Sequence, residues 1–241
     1  MLIPGKESGC TLADAITGDQ MRELRAQYPE HSFICYINTT AEVKALCDVA
    51  VTSSNVYDIV QRYPNDKIVF VPDLLMGKNI IEEMRVRGVK KDIVLFDGNC
   101  YAHKEYDPDM VDYLRSKHPG ITVVSHPECS LEVTSRSDFV GSTGQMMDYI
   151  KASDKNDVLL LTECGLSSRL QIENPEKNFI GTCNFCKYMK SNTLEDIIRV
   201  LKDPQESDRI TLDSEVISGA RKCIERMFEF AEPAASVNPC E

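Results

Sequence analysis

Basic residues are in deficit in this sequence: 27 Lys and Arg stand against 38 Asp and Glu, a formal net charge of −11. Nucleic-acid binding rests on a basic footprint, so that class of function is set aside. No run approaches the roughly 18 apolar residues of a membrane-spanning helix. Residues 1–7 have neither the basic region nor the apolar core of a secretion signal, and the chain is expected in the cytosol. A reducing compartment argues against a disulfide framework. Yet the chain is rich in cysteine, with ten in 241 residues. Some of these are expected to be buried small hydrophobes, Cys47 and Cys223 among them. The others are expected to be metal ligands or reactive thiols, with Cys240 set apart in a terminal tail.

Three cysteines follow short apolar strands. Ile93 to Phe96 leads through Asp97, Gly98 and Asn99 to Cys100. Leu2, Ile3 and Pro4 lead to Cys10, and Phe179, Ile180 and Gly181 lead to Cys186. The intervals are 90 and 86 residues. Near-equal spacing suggests one structural unit used three times around a shared centre.

Sliding the sequence against itself by 90 residues supports a duplication. Leu24 and Arg25 fall on Leu114 and Arg115, Asp48 on Asp138, and Glu42-Val43 on Glu132-Val133. The run Ile68 to Asp73 falls on Val158 to Glu163. Each unit reads as α/β. The expected helices are Ala13 to Ala26 and Met110 to Lys117, Ala41 to Leu46 and Leu131 to Ser135, and Asn55 to Gln61 and Gly144 to Lys151. The expected strands are Phe33 to Ile37 and Ile121 to Ser125, Val49 to Val51 and Phe139 to Gly141, and Lys67 to Val71 and Val158 to Leu161. Short apolar runs alternating with helices argue for parallel sheets covered on both faces, hence small three-layer domains. The division is 1–90, 91–176 and a partial third unit 177–241, with seams at Gly88–Lys91 and Asn174–Lys177. That third unit has a helix at Leu194 to Leu201, an acidic linker at Asp203 to Asp208 and a terminal helix at Asp213 to Phe230. The fold class is therefore α/β with a pseudo-threefold repeat, two units full and one partial.

In such units ligands bind beyond the C-terminal strand ends. The residues there are polar and correspond between units: Tyr36, Asn38, Thr52 and Ser53 in the first, His126, Glu128, Ser142 and Thr143 in the second. Thr162 and Glu163 stand opposite Pro72 and Asp73. His126 and Glu128 read either as a turn or as a general acid and base that could hold a substrate carbonyl, and their match to Tyr36 and Asn38 favours chemistry. Thr52–Ser54 and Ser142–Gly144 read as helix N-caps or as sites for phosphate or carboxylate. Three converging thiols could ligate zinc or an iron–sulfur cluster, or be buried free cysteines. Only Cys183 and Cys186 have the close spacing of a zinc pair, and no second pair faces them. Three thiolates suit a [4Fe-4S] cluster with one open iron, able to act as a Lewis acid. His103 is a candidate for supporting Cys100, His118 a helix-end residue and His31 a turn residue.

These motifs together resemble the quinolinate synthase family, the A protein of NAD biosynthesis. They are Gly98-Asn99-Cys100-Tyr101-Ala102-His103, His126-Pro127-Glu128, Gly141-Ser142-Thr143-Gly144, Thr162-Glu163-Cys164-Gly165 and Cys186-Lys187-Tyr188-Met189, with Ser8 to Asp14 resembling the first cysteine motif. The resemblance covers Met1 to Phe230. It implies three pseudo-symmetric α/β domains around a [4Fe-4S] cluster held by Cys10, Cys100 and Cys186. It also implies a transferase that condenses iminoaspartate with dihydroxyacetone phosphate to quinolinate, with an L-aspartate-oxidising enzyme as a supplier of iminoaspartate. Tyr36 and Asn38 would contact substrate and assist proton transfer. His126 and Glu128 would position and polarise the intermediate, while Ser53, Ser142 and Thr143 would hold carboxylate or phosphate oxygens. Cys129 need not be a ligand. Family members carry a further N-terminal stretch that completes the third unit and brings a histidine and a tyrosine to the substrate. The alternatives are a truncated, catalytically inactive module that binds a phosphate ligand, and a cluster carrier.

Overall fold

The structure is a computed structural model that describes residues 3, 5, 8–181 and 184–231. Leu2, Pro4, Cys183 and Cys240 lie outside the described residues. Among the described residues eight strands form two four-stranded sheets in which every pairing is parallel. The first sheet holds β1 (Ser32–Tyr36), β2 (Val49–Val51), β3 (Lys67–Val71) and β4 (Asp92–Leu95), in the order β2-β1-β3-β4. The second holds β5 (Thr122–Ser125), β6 (Phe139–Val140), β7 (Asp157–Leu161) and β8 (Asn178–Phe179), in the order β6-β5-β7-β8. Strand for strand, the second sheet repeats the order of the first. Phe33, Ile34, Cys35 and Tyr36 of β1 are all buried, as a central strand covered on both faces requires. The strands leading to Cys100 and Cys186, β4 and β8, close the sheets that precede those cysteines.

Helices α1 (Gly18–Gln27), α2 (Ala41–Ala45), α3 (Val56–Arg62) and α4 (Leu74–Val86) accompany the first sheet. The second is accompanied by α5 (Tyr101–Lys104), α6 (Pro108–Lys117), α7 (Leu131–Thr134), α8 (Thr143–Ala152) and α9 (Cys164–Glu173). Then follow α10 (Lys187–Lys190), α11 (Leu194–Lys202) and α12 (Ser214–Ala231). The single helix expected over residues 13–26 is broken. Ala13–Ala15 form a 3-10 turn, Ile16 is extended, and Thr17 starts α1 through a reciprocal capping box with Gln20. Two short helices that the sequence reading left out, α5 and α10, begin immediately after Cys100 and Cys186.

Side-chain networks repeat at the 90-residue offset as well. Arg25 pairs with Asp48 at 3.0 Å while Asp48 accepts from Phe33 N–H. Arg115 pairs with Asp138 at 2.9 Å while Asp138 accepts from Val123 N–H. Such pairs recur because each tethers the loop before an edge strand to the start of the central one.

The acidic stretch expected as a linker is instead an ordered tie, since Asp208 is buried and gripped by both terminal nitrogens of Arg199 at 2.8 and 2.9 Å. Helix α12 then returns to pack on α2 and β2, burying Cys223 and Met227. The approach is close: a Cβ built at Gly219 would lie 2.8 Å from the Ala45 Cβ. Cys47 and Cys223 are buried in this core, as their sequence context suggested.

Candidate active site

Parallel strands end on one edge, so the loops after β1, β2, β5, β6 and β7 gather there around a cavity of 640 Å³. Tyr36, Asn38, Ser53, His126, Glu128 and Thr143 line it, together with Cys10, Cys100 and Cys186. Thr52 and Ser142, also singled out from sequence, are not on the cavity lining. The Ser142 hydroxyl accepts from Gln145 N–H and its own N–H donates to Gln145 Oε1, so it caps α8. The chain also brings in His103, Thr162, Glu163, Arg169 and Lys190.

Cys10, Cys100 and Cys186 are all partly exposed and unbridged, whereas Cys35, Cys47, Cys129 and Cys223 are free but buried. Cys100 and Cys186 occupy equivalent places. Asp73 bridges to Gly98 and Glu163 to Asn184, and Leu74 and Cys164 donate their N–H groups to the Gly98 and Asn184 carbonyls at 2.7 and 3.0 Å. Each cysteine follows its bridge by two residues and then starts a short helix. Ala13 N–H points at the Cys10 sulfur from 3.5 Å. The Tyr101 hydroxyl donates to Phe185 O and accepts from Lys187 N–H, binding the Cys100 loop to the Cys186 loop. Three soft donors from three loops therefore meet on one cavity, and no fourth thiol lines it among the described residues. That donor set does not fit a closed four-thiolate zinc site. It does fit a three-thiolate cluster with one open iron.

Gly98 is where this arrangement is tightest. A Cβ there would sit 2.5 Å from the Pro72 carbonyl oxygen and 2.8 Å from the Ala15 Cβ. Gly98→Ala is expected to destabilise the fold by about 1–3 kcal/mol through overpacking and to displace Cys100. A thermal melt of the variant beside wild type checks this, and an unchanged midpoint would mean the loop is not pinned.

Glu128 is the electrostatic centre. Tyr36 donates its hydroxyl to Oε1 at 2.8 Å across the two sheets, and His103 Nδ1 stands 3.0 Å from Oε2. Burial works to raise the Glu128 pKa, but the His103 charge overcomes it and holds the carboxyl ionised. Burial likewise works to lower His103, and Glu128 overcomes that, keeping the imidazole protonated. His103 reaches Thr162 Oγ1 at 3.1 Å through Nε2 and lies 3.3 Å from the Cys100 sulfur through Nδ1. His126 differs. Burial pushes its pKa down to about 4, so it is neutral. Its Nδ1 accepts from Glu128 N–H at 3.3 Å, which assigns its proton to Nε2. The two imidazoles stack with centroids 4.8 Å apart. Burial, with Glu128 adding to it, raises the Tyr36 hydroxyl far above its ordinary value, so Tyr36 keeps its proton.

Sequence reading gave His103 a minor place, yet it is the counterion of Glu128. Its position three residues after Cys100 on a short helix was the available signal. Of the cavity's side-chain cations besides His103, Arg169 lies in no motif, while Lys190 belongs to the motif that begins at Cys186 but was not singled out as a site residue. Cys100, His103 and Glu128 also bring a sulfur, a nitrogen and an oxygen within 4.8 Å of one another. The His103–Glu128 ion pair already occupies two of those donors.

The fold and site define an α/β protein with a thiol-lined cavity at its strand ends. A family model described as Quinolinate synthetase A protein matches residues 1–229, and the chain belongs to that family. A quinolinate synthase of Caulobacter vibrioides (strain NA1000 / CB15N) is 37% identical over 238 residues, covering 97% of this chain and 63% of the relative. One from Xylella fastidiosa (strain 9a5c) is 36% identical over 228 residues, with coverages of 95% and 65%. One from Caldicellulosiruptor bescii is 38% identical over 231 residues, with coverages of 95% and 74%. The chain thus spans 63% to 74% of the length of these relatives. No helix among the described residues is long and apolar enough to cross a membrane.

Proposed function

We propose that this chain acts in quinolinate synthesis, condensing iminoaspartate with dihydroxyacetone phosphate at the strand-end cavity. The observation that carries the reading is the convergence there of three unbridged thiols with neutral His126, ionised Glu128 and protonated Tyr36. Cys10, Cys100 and Cys186 would hold a [4Fe-4S] cluster, which when bound supplies an open iron as a Lewis acid.

The chain's own residues have distinct tasks. His126 presents Nε2–H as a neutral donor to a substrate carbonyl or carboxylate. Glu128 stays ionised, fixes the Tyr36 hydroxyl and His126, and balances the buried His103 charge. Tyr36 and Asn38 contact substrate from the first sheet and assist proton transfer, the Tyr36 hydroxyl held in place by its bond to Glu128. Ser53 and Thr143 offer hydroxyls, and Arg169 and Lys190 offer charge, to the carboxylate and phosphate groups.

The units 1–90, 91–176 and 177–241 are read as two full copies and part of a third around this cavity. The matched sheet orders support that arrangement.

His126→Ala is expected to lower quinolinate formation by about 10²–10⁴-fold, the usual worth of a positioned acid–base group, while iron content stays unchanged. The assay uses the reconstituted chain joined by whatever further length its activity requires. Wild-type turnover by the variant would remove His126 from the chemistry, whereas iron retained with no turnover by either protein would favour a cluster carrier.

A further inference from the structure

The two loops that deliver site residues from the central strands are fastened beneath the cavity in the same way by different residues. After β1, Lys44 Nζ donates to Ile37 O at 2.7 Å and to Thr39 O at 2.5 Å, the carbonyls on either side of Asn38. After β5, Asn79 Nδ2 donates to Pro127 O at 2.8 Å and to Cys129 O at 2.9 Å, the carbonyls on either side of Glu128. Ile37 and Pro127, Thr39 and Cys129, and Asn38 and Glu128 are equivalent at the 90-residue offset. So are Lys44 and Thr134, and Thr134 Oγ1 donates to Asn79 Oδ1 at 2.7 Å. Lys44, Asn79 and Thr134 are all buried.

We propose that Lys44 and Asn79 are positioning residues: a single nitrogen joins the two carbonyls flanking the site residue and thereby aims its side chain into the cavity. Two buried carbonyls aimed at one point need a shared donor, because each unmet acceptor carries a desolvation cost. In the first unit the long ammonium side chain from α2 fills that point. In the second, position 134 holds a threonine too short to reach it, and an amide from the neighbouring unit's α4 takes over. Asn79 is thereby spent completely, with both N–H groups donated and its oxygen accepting. Because Asn79 stands on α4, it also holds the second unit's loop against the first. The Tyr36 to Glu128 hydrogen bond spans the same seam.

The inference deepens the proposed reading of the cavity, and its test separates the two. In Asn79→Ala the amides of Glu128 and Cys129 are expected to exchange with deuterium about tenfold faster or more, the scale of one lost buried hydrogen bond. Affinity for pyridine-2,3-dicarboxylate should fall in the same variant. Adding Thr134→Lys to Asn79→Ala rebuilds the first unit's solution in the second. It should bring both the exchange rate and the affinity back to within about threefold of wild type, a recovery that bulk repacking would not give. Unchanged exchange in the single variant overturns the proposal. So does a double variant that exchanges as fast as the single one, or that does not fold. If Asn79→Ala fails to fold and the double variant folds with wild-type exchange, the proposal stands. If wild-type protein binds no pyridine-2,3-dicarboxylate, the functional reading falls while the exchange rates still judge the fastening.

Discussion

Glu128→Gln is expected to cost the folded protein about 3 kcal/mol near pH 6, towards the low end for breaking one side of a buried ion pair. The amide keeps the shape and can still accept from Tyr36, but it leaves the buried His103 charge without a counterion. The pH dependence follows from the two shifts. Glu128 is held below its unfolded value, so its contribution is present above about pH 4.3 and is lost as pH falls through the folded value. His103 is raised to about 10, against burial, by Glu128. Its contribution is full below about pH 6.5 and declines as pH rises towards the folded value. Wild type and variant should therefore differ most between about pH 4.3 and 6.5 and converge in acid. Urea unfolding followed by circular dichroism at several pH values measures the gap. Equal stabilities near pH 6 would mean that Glu128 and His103 are not a buried charged pair.

Serine at position 10, 100 or 186 is expected to take iron and labile sulfide from about four per chain to almost none after anaerobic reconstitution. A cluster with three protein thiolates has no spare ligand, and a serine hydroxyl is a harder, less acidic donor. Cys129→Ser is the matched control. That thiol follows Glu128 directly but is wholly buried, and burial with Glu128 beside it pushes its pKa far up. It donates to Leu161 O instead. Cys35→Ser should also retain iron, since Cys35 lies against Cys223 in the first core, 3.7 Å sulfur to sulfur. Loss of iron in either control, with retention in Cys10→Ser, would reassign the ligands.

Both predictions concern residues visible in the sequence, but the reasons they matter became visible to different degrees. The strands were legible because parallel strands buried on both faces read as short continuous apolar runs, and β1, β2 and β3 lie where those runs lie. The matched strand order of the two sheets was legible because local order recurs at a constant offset. The convergence of Tyr36, Asn38, Ser53, His126, Glu128 and Thr143 followed from one topological rule, that parallel strands deliver their ends to one edge.

What sequence could not weigh was partnership across space. His103 looked minor because nothing nearby in the chain reveals that a carboxylate from another loop will face it at 3.0 Å. Ser142 looked equal to Thr143, and only the capping bonds with Gln145 separate a helix start from a cavity wall. The ionisation of Glu128 and the neutrality of His126 are likewise products of burial and of each other's charge, which local pattern does not contain. Local order by itself determined the strands, the matched order of the two sheets and the edge where the polar residues gather. The charge state and aim of each side chain on that edge were decided only by the packing of one unit against the next, because desolvation and Coulomb interactions act between groups far apart in sequence.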